Sequence, residues 1–185
     1  QKNLFLIFRR IVKKMEGFRD NDQSFATKAL HAGQDPEQWS SMAVVPPISM
    51  STTFKQYGPA DFKQYEYGRS GNPTRDCLEA ALAAVDGAEF AFTFSSGLAA
   101  TSTITQLLKA GDHLIAMDDL YGGTNRYFRR VASNMGIETS FVDATNPQKV
   151  AEAIKPNTRM VWIETPTNPT LKVTSLNSRK KLENT

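Results

Sequence analysis

Cysteine and histidine are scarce in this chain of 185 residues. The single cysteine, Cys77, excludes an internal disulfide framework and a cysteine-built zinc site. The two histidines, His31 and His113, have no partner at ligand spacing, so we predict structural roles for both and no resident metal ion. No apolar run is long enough to span a bilayer, which predicts no membrane partner. A composition of 40% hydrophobic and 22% charged residues is typical of a globular domain with a core.

The basic excess of the chain, a formal net charge of +3, is concentrated at its start. Five of the 22 lysine and arginine residues lie within residues 1–14, which contain no acidic residue. The rest of the chain therefore has 17 basic and 19 acidic residues. The rest of the chain is therefore mildly acidic, which predicts no nucleic-acid partner. We interpret residues 1–14 as a targeting leader or a non-native segment upstream of Met15, and the aperiodic residues 176–185 as a divergent tail.

Helical periodicity alternates with short apolar runs through the middle of the chain. Asn72 and Gly87 predict the start and the end of a first helix, and a later helix places Phe128, Val131 and Met135 on one apolar face. Continuous apolar strands between helices predict an α/β fold, a mainly parallel sheet covered on both faces in three layers. The predicted helices are residues 73–86, 98–109, 124–135 and 147–154, and the predicted strands are residues 90–94, 113–117, 137–142 and 160–163.

Polar and glycine-rich loops follow the predicted strands. Ligands of open α/β sheets bind beyond the carboxyl ends of the strands, so we predict the functional site there. The loops are residues 95–97 (SSG), residues 118–123 (DDLYGG), Asp143 and residues 164–169 (ETPTNP).

Four candidate site residues or pairs each admit a functional and a structural interpretation. Ser96 and Gly97 at a helix start suit a phosphate, bound by backbone N–H groups and the positive helix end, or Ser96 is simply an N-cap. Tyr121, before two glycines, offers an aromatic face to a planar ligand, or is a core tyrosine in a turn. Asn168, between two prolines, aims its amide at a ligand or belongs to a structural turn. Arg69, on a loop between two glycines, suits a phosphate or carboxylate, or is a solvated surface side chain.

Three other reactive side chains receive structural interpretations. We predict that Asp118 and Asp119 cap a helix or a turn rather than act as catalytic acids. Cys77 falls at a helix start with no histidine nearby, so we predict a buried or inert thiol.

Six motifs occur together in one order between about residues 25 and 173: DPEQW, VVPPIS with STTF, Y-RSGNPTR-CLE, SSGLAAT, MDD-YGGTNRYF and ETPTNPT. In this order and spacing they resemble the pyridoxal 5′-phosphate (PLP) enzymes of cysteine and methionine metabolism. The resemblance implies the three-layer α/β/α fold of PLP-dependent transferases, aspartate-aminotransferase-like (fold type I) and incomplete here. It also implies a homotetramer with shared active sites, and the lack of disulfide cysteines and of a secretory signal predicts a cytoplasmic location.

The resemblance assigns cofactor contacts to five of the residues. Ser96, Gly97 and Leu98 would bind the phosphate of PLP. Tyr121 would stack on the pyridine ring, contact the substrate and assist proton movement there, and Asn168 would contact the ring hydroxyl.

Three further residues receive roles toward the substrate or a neighbouring subunit. Arg126 would join the hydrogen-bond network around the substrate. Tyr67 and Arg69 would reach across a subunit interface to the PLP phosphate of a neighbour, and Arg69 would also contact the substrate. Residues 15–71 would then form an N-terminal arm, and residues 72–175 part of the PLP-binding domain.

The resemblance also implies a reaction, PLP-dependent cleavage of a carbon–sulfur bond. DPEQW and VVPPIS favour γ-elimination of L-cystathionine to L-cysteine, 2-oxobutanoate and ammonia, as part of transsulfuration. Cystathionine β-lyase, cystathionine γ-synthase and methionine γ-lyase are alternatives, although Gly123 stands where methionine γ-lyases typically have cysteine.

Three residues of that chemistry have no counterpart in the sequence. The family's Schiff-base lysine, ring-nitrogen aspartate and substrate-carboxylate arginine would all follow the last motif, and the resemblance stops near Thr174. We therefore interpret the chain as an N-terminal fragment that is inactive alone, or as a truncated product that only associates with full-length subunits.

Overall fold

The computed structural model describes residues 24–175, so the predicted leader and tail lie outside the described residues. These residues divide into two compact units between Thr93 and Phe94. The first unit contains α1 (Phe25–His31), a 3₁₀ turn (Pro36–Gln38), β1 (Gln56–Gly58), β2 (Asp61–Phe62) and α2 (Pro73–Asp86). The second contains α3 (Gly97–Thr105), β3 (His113–Met117), α4 (Gly122–Tyr127), β4 (Glu138–Val142), α5 (Pro147–Glu152) and β5 (Thr158–Trp162).

Helix α2 has the bounds that its capping residues predict. The side chain of Asn72 accepts hydrogen bonds from the second and third helical N–H groups, and Gly87 ends the helix at φ +65°. Helix α1 packs on α2 at Gly33, where an added Cβ would lie 2.7 Å from the carbonyl oxygen of Cys77. Cys77 is buried in α2, and burial raises the pKa of its thiol, which agrees with the inert thiol that the sequence predicts.

The second unit is built on a parallel sheet with strand order β4–β3–β5. All five residues of the central strand, β3, are buried, as the continuous apolar run predicts. The helical turn of α4 continues through a π-helical segment (Phe128–Ala132) and a 3₁₀ turn (Ser133–Met135) to Gly136. The core consists of Leu108, Leu114, Ile115, Ala116, Met117, Leu120, Phe128, Ala132, Ile137, Ala144 and Val150.

Three sequence-based predictions differ from the observed elements. Residues 90–94 form no strand, because within residues 24–175 no other strand is hydrogen-bonded to them, and their three phenylalanines are exposed. Helix α3 ends at Thr105 rather than at residue 109. At residue 109 the chain is in a turn, in which the Asp112 carboxylate accepts the Lys109 N–H at 2.8 Å. On the third predicted helix only Phe128 of the expected apolar face is buried, since the π-helical segment changes the periodicity.

Two features are absent from residues 24–175. None of the described helices is both long and apolar enough to cross a membrane. No group of three or more histidine, cysteine, aspartate or glutamate side chains in the same residues is arranged to hold a metal ion.

His113 lies fully buried at the start of the central strand. Its Nδ1 is 2.7 Å from the Thr158 hydroxyl on β5, and its Nε2 is 2.9 Å from the Ser140 hydroxyl on β4. Burial, helped by the nearby Lys155 ammonium and opposed by Glu138, lowers the pKa of this imidazole below its ordinary value. A neutral imidazole therefore links the three strands.

The neutral state of His113 predicts a pH-dependent stability. An unfolded histidine titrates at about pH 6.5, so below that pH the unfolded chain takes up a proton that the folded chain does not. The free energy of unfolding is expected to fall from about pH 6.5 downward until the lower folded pKa is reached. Urea denaturation at pH 7.5 and 6.0 measures this change. His113→Gln should remove most of it, whereas the same substitution at the exposed His31 should not; an undiminished change in His113→Gln contradicts the account.

Candidate active site

A cleft of about 660 Å³ opens beside the carboxyl ends of β3 and β5. It lies entirely within the second unit, at the edge of the sheet where the sequence predicts the ligand site. The residues whose chemistry is relevant there are Ser96, Gly97, Leu98, Tyr121, Trp162 and Glu164.

The start of helix α3 presents backbone donors to this cleft. The first N–H groups of a helix have no acceptor within the helix. Ser96 is the N-cap, and its hydroxyl accepts only the Ala99 N–H, at 3.1 Å. The N–H groups of Gly97 and Leu98 therefore remain for an external acceptor, and a helix N-terminus favours an anion. No heavy atom lies within 4 Å of the point where a Cβ of Gly97 would stand, so this space is open to a ligand.

Tyr121 lies at the end of β3, where it is the N-cap of α4. Its side chain is 53% exposed, so it is not the core tyrosine of the structural interpretation. Its ring lies against Gly123, where an added Cβ would be 2.6 Å from the ring atom Cε1. Glycine at position 123 is thus required for this placement of the ring beside the cleft.

Glu164 is a site residue that the sequence analysis missed. Its carboxylate Oε2 accepts the backbone N–H of Tyr121 at 2.9 Å and lines the same cleft. Its position at the start of the ETPTNP motif is the one available signal, but the contact depends on the pairing of β3 with β5.

The loop that follows Glu164 is held by two aspartates at the end of β3. The Asp119 carboxylate accepts hydrogen bonds from the hydroxyls of Thr167, at 2.5 Å, and of Thr170, and these bonds lower the pKa of Asp119. Asp118 pairs with the Lys172 ammonium at 3.2 Å. The helix-cap part of the prediction for these aspartates is wrong, since Tyr121 occupies the N-cap of α4. The turn part agrees with the structure at Asp118, whose carboxylate accepts the Asp119 N–H at 2.8 Å in the bend after β3. The loop contains cis peptide bonds before Pro166 and Pro169.

Two of the predicted site residues in this unit lie outside the set that lines the cleft. Asn168 is exposed on the anchored loop, one residue after the buried Thr167. Arg126 is exposed on α4. Their roles toward a cofactor or substrate stay predictions.

Tyr67 and Arg69 lie together in the first compact unit. The Arg69 guanidinium donates to the Tyr67 hydroxyl at 3.1 Å and lies 4.3 Å from the centre of its ring. Two hydrogen bonds to the backbone of Gly68 fix this loop. The Gly68 N–H donates to the Thr52 carbonyl at 2.7 Å, and the Arg75 guanidinium donates to the Gly68 carbonyl at 3.0 Å. Arg69 itself is exposed, so the loop presents a guanidinium to the surface of this unit.

The sequence of residues 26–183 matches the model of the Cys/Met metabolism PLP-dependent enzymes. The chain belongs to this family. Its members depend on PLP, and the fold described above is that of the family's solved structures, α/β with a parallel sheet.

Individual relatives in sequence and in structure also resemble this chain. Cystathionine gamma-lyase from Homo sapiens is 64% identical over 158 residues, which are 85% of this chain and 39% of that protein. The crystal structure of metB from Corynebacterium glutamicum superposes with a TM-score of 0.84 at 43% identity, covering 90% of this chain and 44% of that one. The structure of cystathionine gamma-lyase from Lactobacillus plantarum complexed with L-serine superposes with a TM-score of 0.82 at 38% identity, covering 87% and 42%. The chain thus spans about two fifths of the length of these relatives.

The cleft fits a phosphorylated planar cofactor. A phosphate needs unpaired N–H donors, which the start of α3 provides at Gly97 and Leu98, and open space beside them, which is present at Gly97. A pyridine ring needs an aromatic or apolar surface, and the cleft contains both Tyr121 and Trp162. The donor set and the open cradle at Gly97 therefore agree with the cofactor of the family.

Proposed function

We propose that the chain forms the phosphate-binding and ring-contacting part of a PLP-dependent carbon–sulfur lyase. The proposed reaction is γ-elimination of L-cystathionine to L-cysteine, 2-oxobutanoate and ammonia. The single observation that carries the proposal is the convergence of the α3 start and Tyr121 on one cleft in a chain of this family. The 64% identity with human cystathionine gamma-lyase favours this member of the family.

The residues of the cleft divide the work of holding the cofactor. The N–H groups of Gly97 and Leu98 bind its phosphate, and Ser96 fixes the helix start by capping Ala99. When bound, PLP serves as an electron sink for the carbanion left after a Cα proton is removed. Tyr121 would contact the ring of the bound cofactor, and its hydroxyl would hold or move a proton beside the substrate. Asn168 orients the ring hydroxyl from the loop that Asp119 anchors.

The remaining assignments concern substrate and assembly. In this proposal the Arg126 guanidinium supports the hydrogen bonds of the amino-acid substrate. Tyr67 and Arg69 bind the PLP phosphate of a neighbouring subunit, with Arg69 also reaching the substrate. The exposed Arg69 guanidinium supports this role, since it is oriented by the Tyr67 hydroxyl and stands on a loop fixed by hydrogen bonds. We also propose a homotetramer with shared sites, a cytoplasmic location and a metabolic role in transsulfuration.

Three other members of the family are alternative functions. Cystathionine β-lyase would release homocysteine and pyruvate from cystathionine, so the two lyases differ in their keto-acid product. Cystathionine γ-synthase would form cystathionine instead of cleaving it. Methionine γ-lyase is disfavoured because methionine γ-lyases typically have cysteine where this chain has Gly123.

A chimaera with the human relative tests the proposal. Residues 25–173 replace the matching segment of human cystathionine gamma-lyase, and 2-oxobutanoate release from cystathionine and bound PLP are measured. We expect the chimaera to turn over cystathionine. Tyr121→Phe should lower its rate but not its content of bound PLP. Arg69→Ala should weaken PLP retention about tenfold to a hundredfold, because a hydrogen bond to a charged group contributes roughly 1.5–3 kcal/mol.

The outcomes against the proposal are distinct. A folded chimaera that retains no PLP contradicts it. Pyruvate with homocysteine in place of 2-oxobutanoate would support the β-lyase alternative. Unchanged PLP retention and activity in Arg69→Ala would show that the neighbouring-subunit role is wrong.

A further inference from the structure

Glu164 joins two strand ends at the candidate active site. Glu164 follows the end of β5 and Tyr121 follows the end of β3, and these strands are parallel neighbours in the sheet. Their pairing brings residues 43 positions apart into contact, with the Tyr121 N–H donating to Glu164 Oε2 at 2.9 Å. A carboxylate acceptor makes this hydrogen bond charge-assisted, and such bonds are about twice as strong as neutral ones.

Two contacts within its own segment hold the backbone of Tyr121: the preceding Leu120 is buried in the core, and the Tyr121 carbonyl accepts the Asn125 N–H at 3.0 Å. Tyr121 caps α4 without a side-chain hydrogen bond to the helix, and its own side chain is half exposed. Gly122 and Gly123 follow, and no heavy atom lies within 4 Å of the point where a Cβ of Gly122 would stand. Helix α4 has only six residues, so it contributes little order by itself. The Glu164 carboxylate is therefore the contact that joins the Tyr121 N–H to the neighbouring strand end.

The Glu164 side chain is presented from a loop that is itself anchored. Thr167 is buried, and its hydroxyl donates to Asp119 at 2.5 Å. The Lys172 ammonium, further along the loop, pairs with Asp118 at 3.2 Å. Both aspartates come from the same β3 end as Tyr121, so the two strand ends are connected twice. Asp118 and Asp119 thus hold the loop at its far end, and Glu164 at its start holds the backbone of Tyr121.

We propose that Glu164 is a positioning residue that fixes Tyr121 for contact with the cofactor. The inference rests on the proposed function, since it assigns Tyr121 to the cofactor ring. The required property of Glu164 is a side-chain oxygen that accepts the Tyr121 N–H. Glutamine supplies such an oxygen at the same reach, whereas alanine supplies none.

Two measurements on the full 185-residue chain test the inference. Amide hydrogen exchange at Tyr121 reports the contact without any ligand. The dissociation constant of pyridoxine 5′-phosphate, which has no aldehyde and so forms no covalent bond with lysine, reports the placement of Tyr121. The variants are Glu164→Ala, Glu164→Gln and a matched control, Glu152→Ala, which removes an exposed glutamate of α5 in the same unit.

We expect Glu164→Ala to accelerate exchange at Tyr121 about tenfold and to weaken pyridoxine 5′-phosphate binding about tenfold, in proportion to the loss of one hydrogen bond. Glu152→Ala should leave both values within about twofold of the unsubstituted chain, and Glu164→Gln, which keeps an acceptor oxygen without the charge, should give values between those of the unsubstituted chain and Glu164→Ala. Unchanged exchange or unchanged affinity in Glu164→Ala, or equal values for Glu164→Gln and Glu164→Ala, would overturn the inference. Failure of the unsubstituted chain to bind the probe contradicts the proposed function instead, and the exchange rates still decide whether Glu164 holds Tyr121.

Discussion

Replacing Phe128 by alanine is expected to lower the free energy of unfolding by about 3–5 kcal/mol. Phe128 is fully buried, and its ring meets that of Trp162 edge to face with centroids 5.4 Å apart. It also contacts the Tyr127 ring at 5.9 Å. Removal of the ring leaves a cavity between the helical segment and β5, in addition to the lost burial of apolar surface. Since whole domains are stable by only about 5–15 kcal/mol, this is a large share of the total.

The matched control for this substitution is Val131→Ala, three residues along the same segment. Val131 is 46% exposed, so the change should be below about 1 kcal/mol. Urea denaturation followed by circular dichroism measures both values. Equal effects of the two substitutions would show that Phe128 does not hold the core of the unit. Phe128 packs against Trp162, and Trp162 lines the cleft. Phe128→Ala should therefore also weaken ligand binding under conditions in which the unit is still folded.

The second large effect is expected at the start of helix α3. Proline is well tolerated at the first position of a helix, and the extended backbone of Ser96, at φ −158° and ψ 158°, suits a residue before proline. Gly97→Pro should therefore leave the helix intact while it removes one N–H donor. The loss of a hydrogen bond to a phosphate is expected to weaken pyridoxine 5′-phosphate binding by roughly 1.5–3 kcal/mol, about tenfold to a hundredfold.

The control for Gly97→Pro is a change of ligand rather than of residue. Pyridoxine has the same ring without the phosphate, so its weaker binding should not depend on the Gly97 donor. Equal losses for the two ligands would indicate that the proline disturbs the cleft as a whole. No loss for either ligand would place the phosphate elsewhere.

Much of the fold was predictable because local signals mark its elements. Asn72 and Gly87 bound helix α2 as predicted, and the apolar run of β3 gave its bounds and its complete burial. The rule that ligands bind at strand ends led to the cleft that Gly97 and Tyr121 share. These are features in which a short stretch of sequence determines a local conformation or a position along a strand.

The errors arise where tertiary contacts decide the outcome. Residues 90–94 have strand-like residues, yet a strand requires a hydrogen-bonded neighbour. The roles of Asp119 and Glu164 depend on loops 40 or more positions apart meeting across the sheet, as the contacts with Thr167 and Tyr121 show. A single sequence contains no local signal for such contacts, so the sequence predicts Asp119 only as a cap of a helix or a turn, and Glu164 only as the first residue of a loop.

The central claim is that the N–H groups at the start of α3 bind the phosphate of the cofactor. The most direct measurement is an amide ¹H–¹⁵N correlation spectrum of the labelled 185-residue chain during titration with pyridoxine 5′-phosphate. The account predicts that the largest shifts occur at the amides of Gly97 and Leu98, with smaller shifts at Tyr121, and that pyridoxine without phosphate does not move the first two. Saturable binding that leaves Gly97 and Leu98 unshifted and moves amides elsewhere would contradict it.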